Sequence, residues 1–157
     1  MPLLNDKDLR NKIMYNLQRG KYKYIGSGSS REVFDLSNGY VIKVAKNKAG
    51  IEQNKVEYKI SNDDNFDIFA KVIYAISNYK YLIMKKAKKV KSINYVWRYF
   101  DVYDRDDFYN LYVIRSVKHK YNLVLNDLAR VSSWGIIDGK LQIIDYGFTK
   151  EVKERYY

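Results

Sequence analysis

The residues of this sequence that are best suited to chemistry begin with a glycine- and serine-rich turn, Gly26-Ser27-Gly28-Ser29. Glycines let backbone N–H groups approach phosphate oxygens closely, and serine hydroxyls add further hydrogen-bond donors. Turns of this composition are also common where no phosphate binds. The turn therefore predicts phosphate binding only if other residues support the same chemistry.

Two charged residues follow the turn at a suitable spacing. Lys43 lies in an apolar strand segment, from which its ammonium group can hold phosphate charge beside the turn. Glu57 lies in the middle of the next helical segment, where it can pair with Lys43 and orient it. Each residue alone is unremarkable, because strand lysines and helical glutamates are usually solvated. Their combination with the turn predicts a lysine that binds phosphate.

Two aspartates in the second half of the sequence supply matching carboxylates. Asp127 lies in a loop predicted after a helix, and Asp145 follows an apolar strand and precedes Tyr146-Gly147. An acid at the end of a strand, followed by an aromatic residue and glycine, is suited to holding magnesium over the phosphates of a nucleotide.

The composition excludes several other chemistries. The sequence has no cysteine and one histidine, His119, which rules out disulfides, thiolate zinc sites, cysteine nucleophiles and histidine clusters. A metal must then be held by oxygen, which favours magnesium. We expect a cytoplasmic protein without membrane contact, because no apolar stretch is long enough to span a bilayer and the start of the sequence lacks the features of a secretory signal.

The charge of the chain leaves its partner open. The 157 residues include 29 Lys and Arg against 18 Asp and Glu, a formal charge of +11, which attracts nucleic acid, nucleotides or acidic proteins. Seventeen tyrosines suit contact surfaces, since tyrosine combines apolar area with a polar tip. The amino-acid usage of an AT-rich genome explains both features equally well. The five lysines within residues 85–91 predict either an exposed connector or an anion-binding patch.

Hydrophobic periodicity predicts the elements of the first half. A helix capped by Asn5 or Asp6 is expected to end at Gly20, with an apolar residue at every fourth position from Leu9. The elements expected after it are three antiparallel strands within 21–46 with a turn at Asn38-Gly39, a helix over 49–60, and a hairpin whose turn is Ser77–Tyr79.

The second half is predicted to be mostly helical. A helix over about 106–120 is expected to carry Phe108 and Tyr112 on one side, and a charged helical tail ends the chain. A short hairpin with Asp138-Gly139 as its turn lies between them. Length and apolar content predict one domain over 1–157, divided into an N-terminal helix and lobe (1–84), a basic hinge or linker (85–91) and a reduced second lobe (92–157).

These motifs resemble, in order and spacing, those of the protein-kinase superfamily, particularly the small kinase-like proteins of phages and prokaryotes. The resemblance extends over Tyr24–Thr149. The matching positions are Gly26, Gly28 and Val33 for the glycine-rich loop, Val41 and Lys43 for V-A-I-K, Glu57 for the helix C glutamate, Met84 for the residue entering the hinge, Asp127 for the catalytic-loop aspartate, and Asp145-Tyr146-Gly147 for D-F-G.

The resemblance implies an α+β, minimal protein-kinase-like fold, in which an antiparallel five-stranded N-lobe with helix C joins a truncated, mostly helical C-lobe. It also implies ATP and Mg²⁺ as cofactors. Lys43 would contact the α- and β-phosphates, Glu57 would orient Lys43, Asp145 would bind magnesium, and Asp127 would accept the hydroxyl proton or orient the nucleophile. The residues implied to hold the nucleotide are Gly26, Ser27, Gly28 and Ser29 in the loop and Val33, Val41 and Met84 around adenine.

The sequence departs from the kinase pattern at four points. Arg31 replaces the third glycine, Ala129 replaces the lysine near the catalytic aspartate, and Ser132 stands where a metal-binding asparagine is expected. Arg130 can supply the missing positive charge, whereas the hydroxyl of Ser132 is a poorer magnesium ligand than an amide oxygen. Only ten residues follow Gly147, which leaves no room for the lobe that holds a peptide substrate in protein kinases.

Three functions remain open on this basis. The preferred one is a kinase-like module of phage or prophage origin that binds or interferes with a host protein or an acidic partner and can retain ATP and magnesium binding. The first alternative is an active ATP-dependent phosphotransferase that acts on a protein or a small molecule. The second alternative is a nucleic-acid-binding protein that uses its basic surface, although no RNP, KH or helix-turn-helix signature is present.

Overall fold

The structure is a computed structural model that describes residues 6–157. Of the two residues predicted to cap the first helix, Asn5 lies outside the described residues, and the helix begins at Asp6. The chain divides into two compact units. The first extends to Tyr58 and includes Lys71–Lys86, and the second comprises Lys59–Ala70 and Ala87–Tyr157.

The first unit contains an antiparallel five-stranded sheet in the order β1-β2-β3-β5-β4. The expected meander, hairpin and intervening helix are all present. Their bounds are α1 Asp6–Gln18, β1 Lys23–Ser27, β2 Arg31–Asp35, β3 Tyr40–Ala45, α2 Lys48–Asp63, β4 Val72–Ile76 and β5 Tyr81–Lys85.

Helix α1 packs against one face of this sheet. Its apolar residues Leu9 and Ile13 are buried and join Ile42 of β3 and Ile83 of β5 in one hydrophobic cluster. Ile42 and Ile83 are paired across neighbouring strands, so their side chains lie on the same face. The predicted apolar stripe of the first helix is therefore confirmed, and it covers one side of the sheet.

The second unit is mostly helical and also contains a small antiparallel sheet in the order β6-β7-β8. The predicted hairpin at Asp138-Gly139 is confirmed, since both residues have the positive φ angles of a tight two-residue turn. The bounds are β6 Lys88–Lys89, α3 Ile93–Tyr99, α4 Arg105–Tyr109, α5 Tyr112–Tyr121, α6 Leu125–Leu128, a 3₁₀ turn Val131–Ser133, β7 Trp134–Ile137, β8 Lys140–Ile143 and α7 Lys150–Tyr156.

An aromatic cluster forms the core of the second unit. The rings of Trp97 and Phe100 pack against the buried ring of Phe108, and the Phe108 and Trp134 centroids are 6.0 Å apart. The indole N–H of Trp134 donates a 2.7 Å hydrogen bond to the carbonyl of Leu128. The indole nitrogen is the one polar atom of the buried tryptophan side chain, and this bond gives it a partner in place of water. The bond also fixes helix α6 to the cluster.

Three expectations about the second half were wrong in detail. The helix predicted over 106–120 is broken at Asn110, whose side-chain amide donates to the carbonyl of Asp106 and so competes with continuation of the helix. As a result Phe108 is buried while Tyr112 is 83% exposed, and the two do not share a face. Asp127 lies in α6 rather than in a loop. The lysines of the basic connector are exposed as expected, and two of them also form the short strand β6.

The predicted fold class is confirmed. The structure is α+β, with an antiparallel five-stranded sheet, a helix between its third and fourth strands, and a mostly helical second unit. Within residues 6–157, no helix combines the length and the apolar character that a membrane span requires.

Candidate functional site

The structure brings Lys43 and Glu57 together in the first unit. The Nζ atom of Lys43 on β3 lies 2.7 Å from Oε1 of Glu57 on α2. Lys43 is 7% exposed and Glu57 is fully buried. Buried charges are costly unless they are paired and hydrogen-bonded, so the two side chains hold each other in place.

A second cation, Arg31, binds the other oxygen of the same carboxylate. Its Nη2 atom lies 2.8 Å from Oε2 of Glu57, and its Nη1 atom donates a 3.0 Å hydrogen bond to Oδ1 of Asn54. Asn54 and Glu57 are three residues apart on α2 and therefore lie on one face of the helix. The arginine that replaces the third glycine of the loop is thus turned inward and forms part of the charged cluster.

The two cations determine the protonation state of Glu57. Burial by itself would raise the pKa of this carboxyl, but the charges and hydrogen bonds of Arg31 and Lys43 outweigh burial and lower its pKa to about 2. Glu57 is therefore ionised at neutral pH and accepts from both cations.

The glycine-rich loop is fixed at its C-terminal end by contacts with the residues around the start of α2. Lys46 donates through Nζ to the carbonyl of Gly28 at 2.8 Å and through its backbone N–H to the carbonyl of Ser30 at 2.8 Å. The side-chain amide of Gln53 donates to the hydroxyl of Ser30. Gly50 makes this close approach possible, because a Cβ atom there would overlap the carbonyl oxygen of Ser30.

The other end of the loop faces open space. A Cβ atom at Gly26 or Gly28 would meet nothing within 4 Å, so packing does not demand glycine at either position. Space next to a glycine backbone is what a phosphate group needs for close approach. Ser29 is exposed, and the hydroxyl of Ser27 donates to the carbonyl of Gly28 at 3.2 Å.

The residues predicted to surround adenine lie on the same face of the sheet as Lys43. Val33 is directly opposite Lys43 across β2 and β3, Val41 is two residues from Lys43 on β3, and Met84 is opposite Val41 on β5. Directly paired residues and residues two apart share a face. This face is the opposite one from that of Ile42, which packs with α1. The strand register therefore groups Val33, Val41 and Met84 with the lysine.

In the second unit, Ser133 joins the segments that carry the two aspartates. Its hydroxyl donates to the backbone carbonyl of Asp127 at 2.6 Å, and its own carbonyl accepts from the N–H of Ile144 at 2.8 Å. Ile144 directly precedes Asp145, which is half-buried. The neighbouring Ser132, the residue predicted to bind metal, is exposed. Of the two adjacent serines, Ser133 has the structural role.

Tyr146 anchors the backbone next to Asp145. Its ring is 1% exposed and lies 4.7 Å from the ring of Phe69, centroid to centroid. Its hydroxyl donates to the carbonyl of Ala70. The tyrosine in this D-F-G-like segment thus fixes the segment by a polar contact that phenylalanine lacks.

The oxygen-donor set fits magnesium bound together with phosphate. Asp127, Asp145 and Ser132 offer only hard oxygen atoms, and Mg²⁺ is usually held by one or two carboxylates plus phosphate oxygens and water. No group of three or more His, Cys, Asp or Glu residues that could hold a metal occurs within 6–157, so a cage built from side chains alone does not fit. Arg130 lies 3.4 Å from the carboxylate of Asp127 and brings positive charge to it.

Sequence reasoning missed three residues of the first unit. It treated Arg31 as a departure from the kinase pattern, and it did not consider Gly50 or Asn54. A signal was present, because Gly50, Gln53, Asn54 and Glu57 follow the i, i+3, i+4, i+7 spacing of one helix face. A polar stripe of this kind normally faces solvent, but here it is buried against the strands.

Comparisons with known proteins find likenesses among solved structures. No protein-family model matches the chain, and no curated protein sequence is similar to it. Among solved structures it is similar to APH(2'')-IIa in the streptomycin–ATP–APH(2'')-IIa ternary complex, with a TM-score of 0.49 and 16% sequence identity over 94% of this chain and 72% of that chain. The antiparallel five-stranded sheet of the first unit and the helix between its third and fourth strands are those predicted for the first lobe of a small protein-kinase-like fold.

Proposed function

We propose that this chain is a kinase-like protein that binds ATP with magnesium. The observation that carries the proposal is the buried cluster of Lys43, Arg31 and Glu57 next to a glycine-rich loop with open space above it. A buried ion pair is weak evidence for a stabilising role, since well-packed apolar residues of similar volume are often as stable. In this proposal the cluster serves to hold Lys43 beside the loop for phosphate.

Each residue has one role in this proposal. Lys43 binds phosphate oxygens, Glu57 orients Lys43, and the backbone N–H groups of the loop approach the phosphates. Asp145 holds magnesium, and Val33, Val41 and Met84 form the apolar surface against which adenine packs. These roles come from the kinase resemblance, and the register of the strands and the ionised state of Glu57 support them.

Titration calorimetry with ATP and magnesium chloride tests the proposal. Lys43→Ala and Asp145→Asn are each expected to weaken binding at least about tenfold, because each removes a charged contact worth roughly 1.5–3 kcal/mol. Lys89→Ala is the matched control, since it removes one positive charge from an exposed position on β6. Salt is held at a fixed moderate level so that the net charge does not imitate specific binding. Equal binding by all four proteins would contradict the proposal.

Transfer of the phosphoryl group is the alternative within the same proposal. Asp127 would take the proton of an acceptor hydroxyl as the γ-phosphoryl group bonds to that oxygen and ADP leaves. Arg130 lies 3.4 Å from Asp127. It would supply the positive charge of the lysine that Ala129 replaces. ADP formation that is lost in Asp127→Asn but retained in the Lys89→Ala control would show that cleavage of the γ-phosphate depends on Asp127, and the appearance of the phosphoryl group on an acceptor hydroxyl would establish transfer. ATP binding without ADP formation would leave a nucleotide-binding module.

We also propose that the second unit binds an acidic segment of a protein partner through its basic surface. A cavity of about 580 Å³ lies among α5, α6 and α7. Its charged lining is Lys118, Lys150 and Lys153 against Glu154, and its apolar lining includes Leu125. Excess positive charge around apolar surface suits a segment that carries carboxylates and some apolar side chains.

A fluorescent polyglutamate peptide tests this second role. The double variant Lys150→Gln with Lys153→Gln is expected to bind the peptide at least about tenfold more weakly, whereas Lys88→Gln with Lys89→Gln, which loses the same charge from β6, should bind it nearly as well. If both double variants bind the peptide equally weakly, net charge alone explains the binding, and the assignment of the peptide to this cavity is overturned. Tighter binding of a single-stranded oligonucleotide than of the peptide would favour the nucleic-acid alternative instead.

A further inference from the structure

Arg31 connects the end of the glycine-rich loop with helix α2 through two residues of that helix. It begins β2, is 6% exposed, and donates to Asn54 at 3.0 Å and to Glu57 at 2.8 Å. Both partners are completely buried. A glycine at position 31 would make neither contact, whereas the 2.7 Å contact between Glu57 and Lys43 does not involve position 31.

The contacts of Arg31 extend to a second part of the sheet through Asn54. The side-chain amide of Asn54 donates to the carbonyl of Tyr79 at 2.8 Å, in the turn that joins β4 and β5. Ser77, Asn78 and Tyr79 all have positive φ angles there, between 53° and 68°. Three successive non-glycine residues in the left-handed region cost conformational energy, so a turn of this shape needs contacts that hold it, and Asn54 supplies one.

The buried polar stripe of α2 makes these contacts a single network. The stripe consists of Gly50, Gln53, Asn54 and Glu57. Gly50 and Gln53 lie against Ser30, and Asn54 and Glu57 accept from Arg31. Through Glu57 the same stripe also binds Lys43 on β3. Because a buried polar group that loses its partner pays its full desolvation cost, the helix cannot move away from the loop without breaking several bonds together.

We propose that Arg31 is a positioning residue that locks the glycine-rich loop to α2, so that Lys43 is held in place for phosphate before any nucleotide arrives. The expected consequence is that ATP binds without first drawing the helix toward the sheet, and this consequence rests on the proposed function. A preorganised site loses less free energy to ordering when its ligand binds. The lock itself is a property of the protein alone and can be measured without ATP.

Four variants separate the lock from a general loss of stability. Arg31→Gly restores the residue that the loop pattern expects, Arg31→Lys keeps the charge, and Arg31→Gln keeps a hydrogen-bond donor for Asn54 without the charge. Lys46→Ala is the matched control for the titration of Glu57, because it removes a different tether of the loop, the bond to the carbonyl of Gly28, and leaves the contacts of Glu57 untouched.

Two measurements on these proteins need no nucleotide. Amide hydrogen exchange over residues 26–33 and 50–57 is expected to be at least about tenfold faster in Arg31→Gly than in the wild type, because local opening no longer breaks the two bonds of the guanidinium. The carboxyl ¹³C titration of Glu57 is expected to move to higher pH in Arg31→Gly and Arg31→Gln, and to return toward the wild-type midpoint in Arg31→Lys. If Arg31 only filled space, the titration midpoint of Glu57 would not depend on whether residue 31 carries a positive charge.

ATP affinity is the third readout. It is expected to fall at least about tenfold in Arg31→Gly, to recover in Arg31→Lys and to change less than about twofold in the Lys89→Ala control on β6. Unchanged exchange together with an unchanged Glu57 titration in Arg31→Gly would overturn the lock. If the wild type binds no ATP, the proposed function fails, while the exchange and titration results still decide whether Arg31 locks the loop. If Arg31→Gly fails to fold, Arg31→Gln and Arg31→Lys carry the same comparison.

Discussion

At the scale of single residues, the chemistry of the first unit depends on Glu57. Its carboxylate accepts from Lys43 at 2.7 Å through one oxygen and from Arg31 at 2.8 Å through the other. The sequence predicted the first contact from the order of the motifs. It could not predict the second, because Arg31 and Glu57 are 26 positions apart and an arginine at the start of a strand is usually solvated.

The depressed pKa of Glu57 predicts a specific loss of stability in acid. Its pKa is about 2 in the folded protein against 4.5 for an unperturbed glutamate, so the unfolded state binds the proton more readily. The stabilisation is complete above about pH 4.5 and is lost as the pH falls toward 2, and it amounts to about 3 kcal/mol at most, since one pKa unit corresponds to about 1.4 kcal/mol. Urea denaturation at a series of pH values measures it.

Glu57→Gln should lose this part of the pH dependence, and Glu52→Gln, on the same helix, should keep it. A wild-type free energy of unfolding that is constant between pH 4.5 and 2.5 would contradict the assigned pKa. Should Glu57→Gln be too unstable to study because it leaves two buried cations with a neutral partner, the carboxyl titration of Glu57 in the wild type decides the same question.

At the scale of elements, helix α2 is the part of the first unit whose role the sequence described least well. Its existence and its glutamate were predicted from helical periodicity. Its buried face, however, is the polar one, which contains Gly50, Gln53, Asn54 and Glu57. Periodicity reports which residues share a face but not which face is buried, and the usual rule that apolar faces turn inward fails here because the strands supply matching donors and acceptors.

Gly50 provides a test at this scale. We expect Gly50→Ala to destabilise the protein by about 1–3 kcal/mol, because its methyl group would overlap the carbonyl of Ser30 and lies 3.0 Å from the Cβ atom of Ala45. Gly26→Ala is the matched control, since its methyl group enters open space, and its stability should stay within about 0.5 kcal/mol of the wild type. Thermal and urea denaturation measure both changes.

One outcome of the comparison between the two glycine variants would contradict the close approach of the loop to α2. If Gly50→Ala is as stable as Gly26→Ala, the loop does not approach α2 as closely as described. Gly26→Ala has a second use, because the proposed phosphate approach predicts weaker ATP binding in this variant although its stability is unchanged.

At the scale of the whole molecule, the net charge of +11 predicts weak and strongly salt-dependent binding to any polyanion. Affinity for a single-stranded oligonucleotide should fall steeply between low and physiological salt, because binding releases condensed counterions. Affinity for ATP at the proposed site should fall much less, since the contacts of buried groups are screened less than those of exposed charges. Fluorescence anisotropy and calorimetry at three salt concentrations measure the two slopes. Parallel slopes would remove the distinction between a specific nucleotide site and general attraction.

The sequence by itself determined the order and type of most elements and the positions of Lys43, Glu57 and Asp145 relative to them. It could do so because hydrophobic period, turn residues and motif spacing are local properties of the chain. The tertiary structure decided that Arg31 turns inward onto Glu57, that Asn110 breaks a helix, and that Ser133 rather than Ser132 joins the segments of the two aspartates. Each of these outcomes depends on which partner lies opposite a polar side chain once the chain has folded, and residues distant in sequence supply several of those partners.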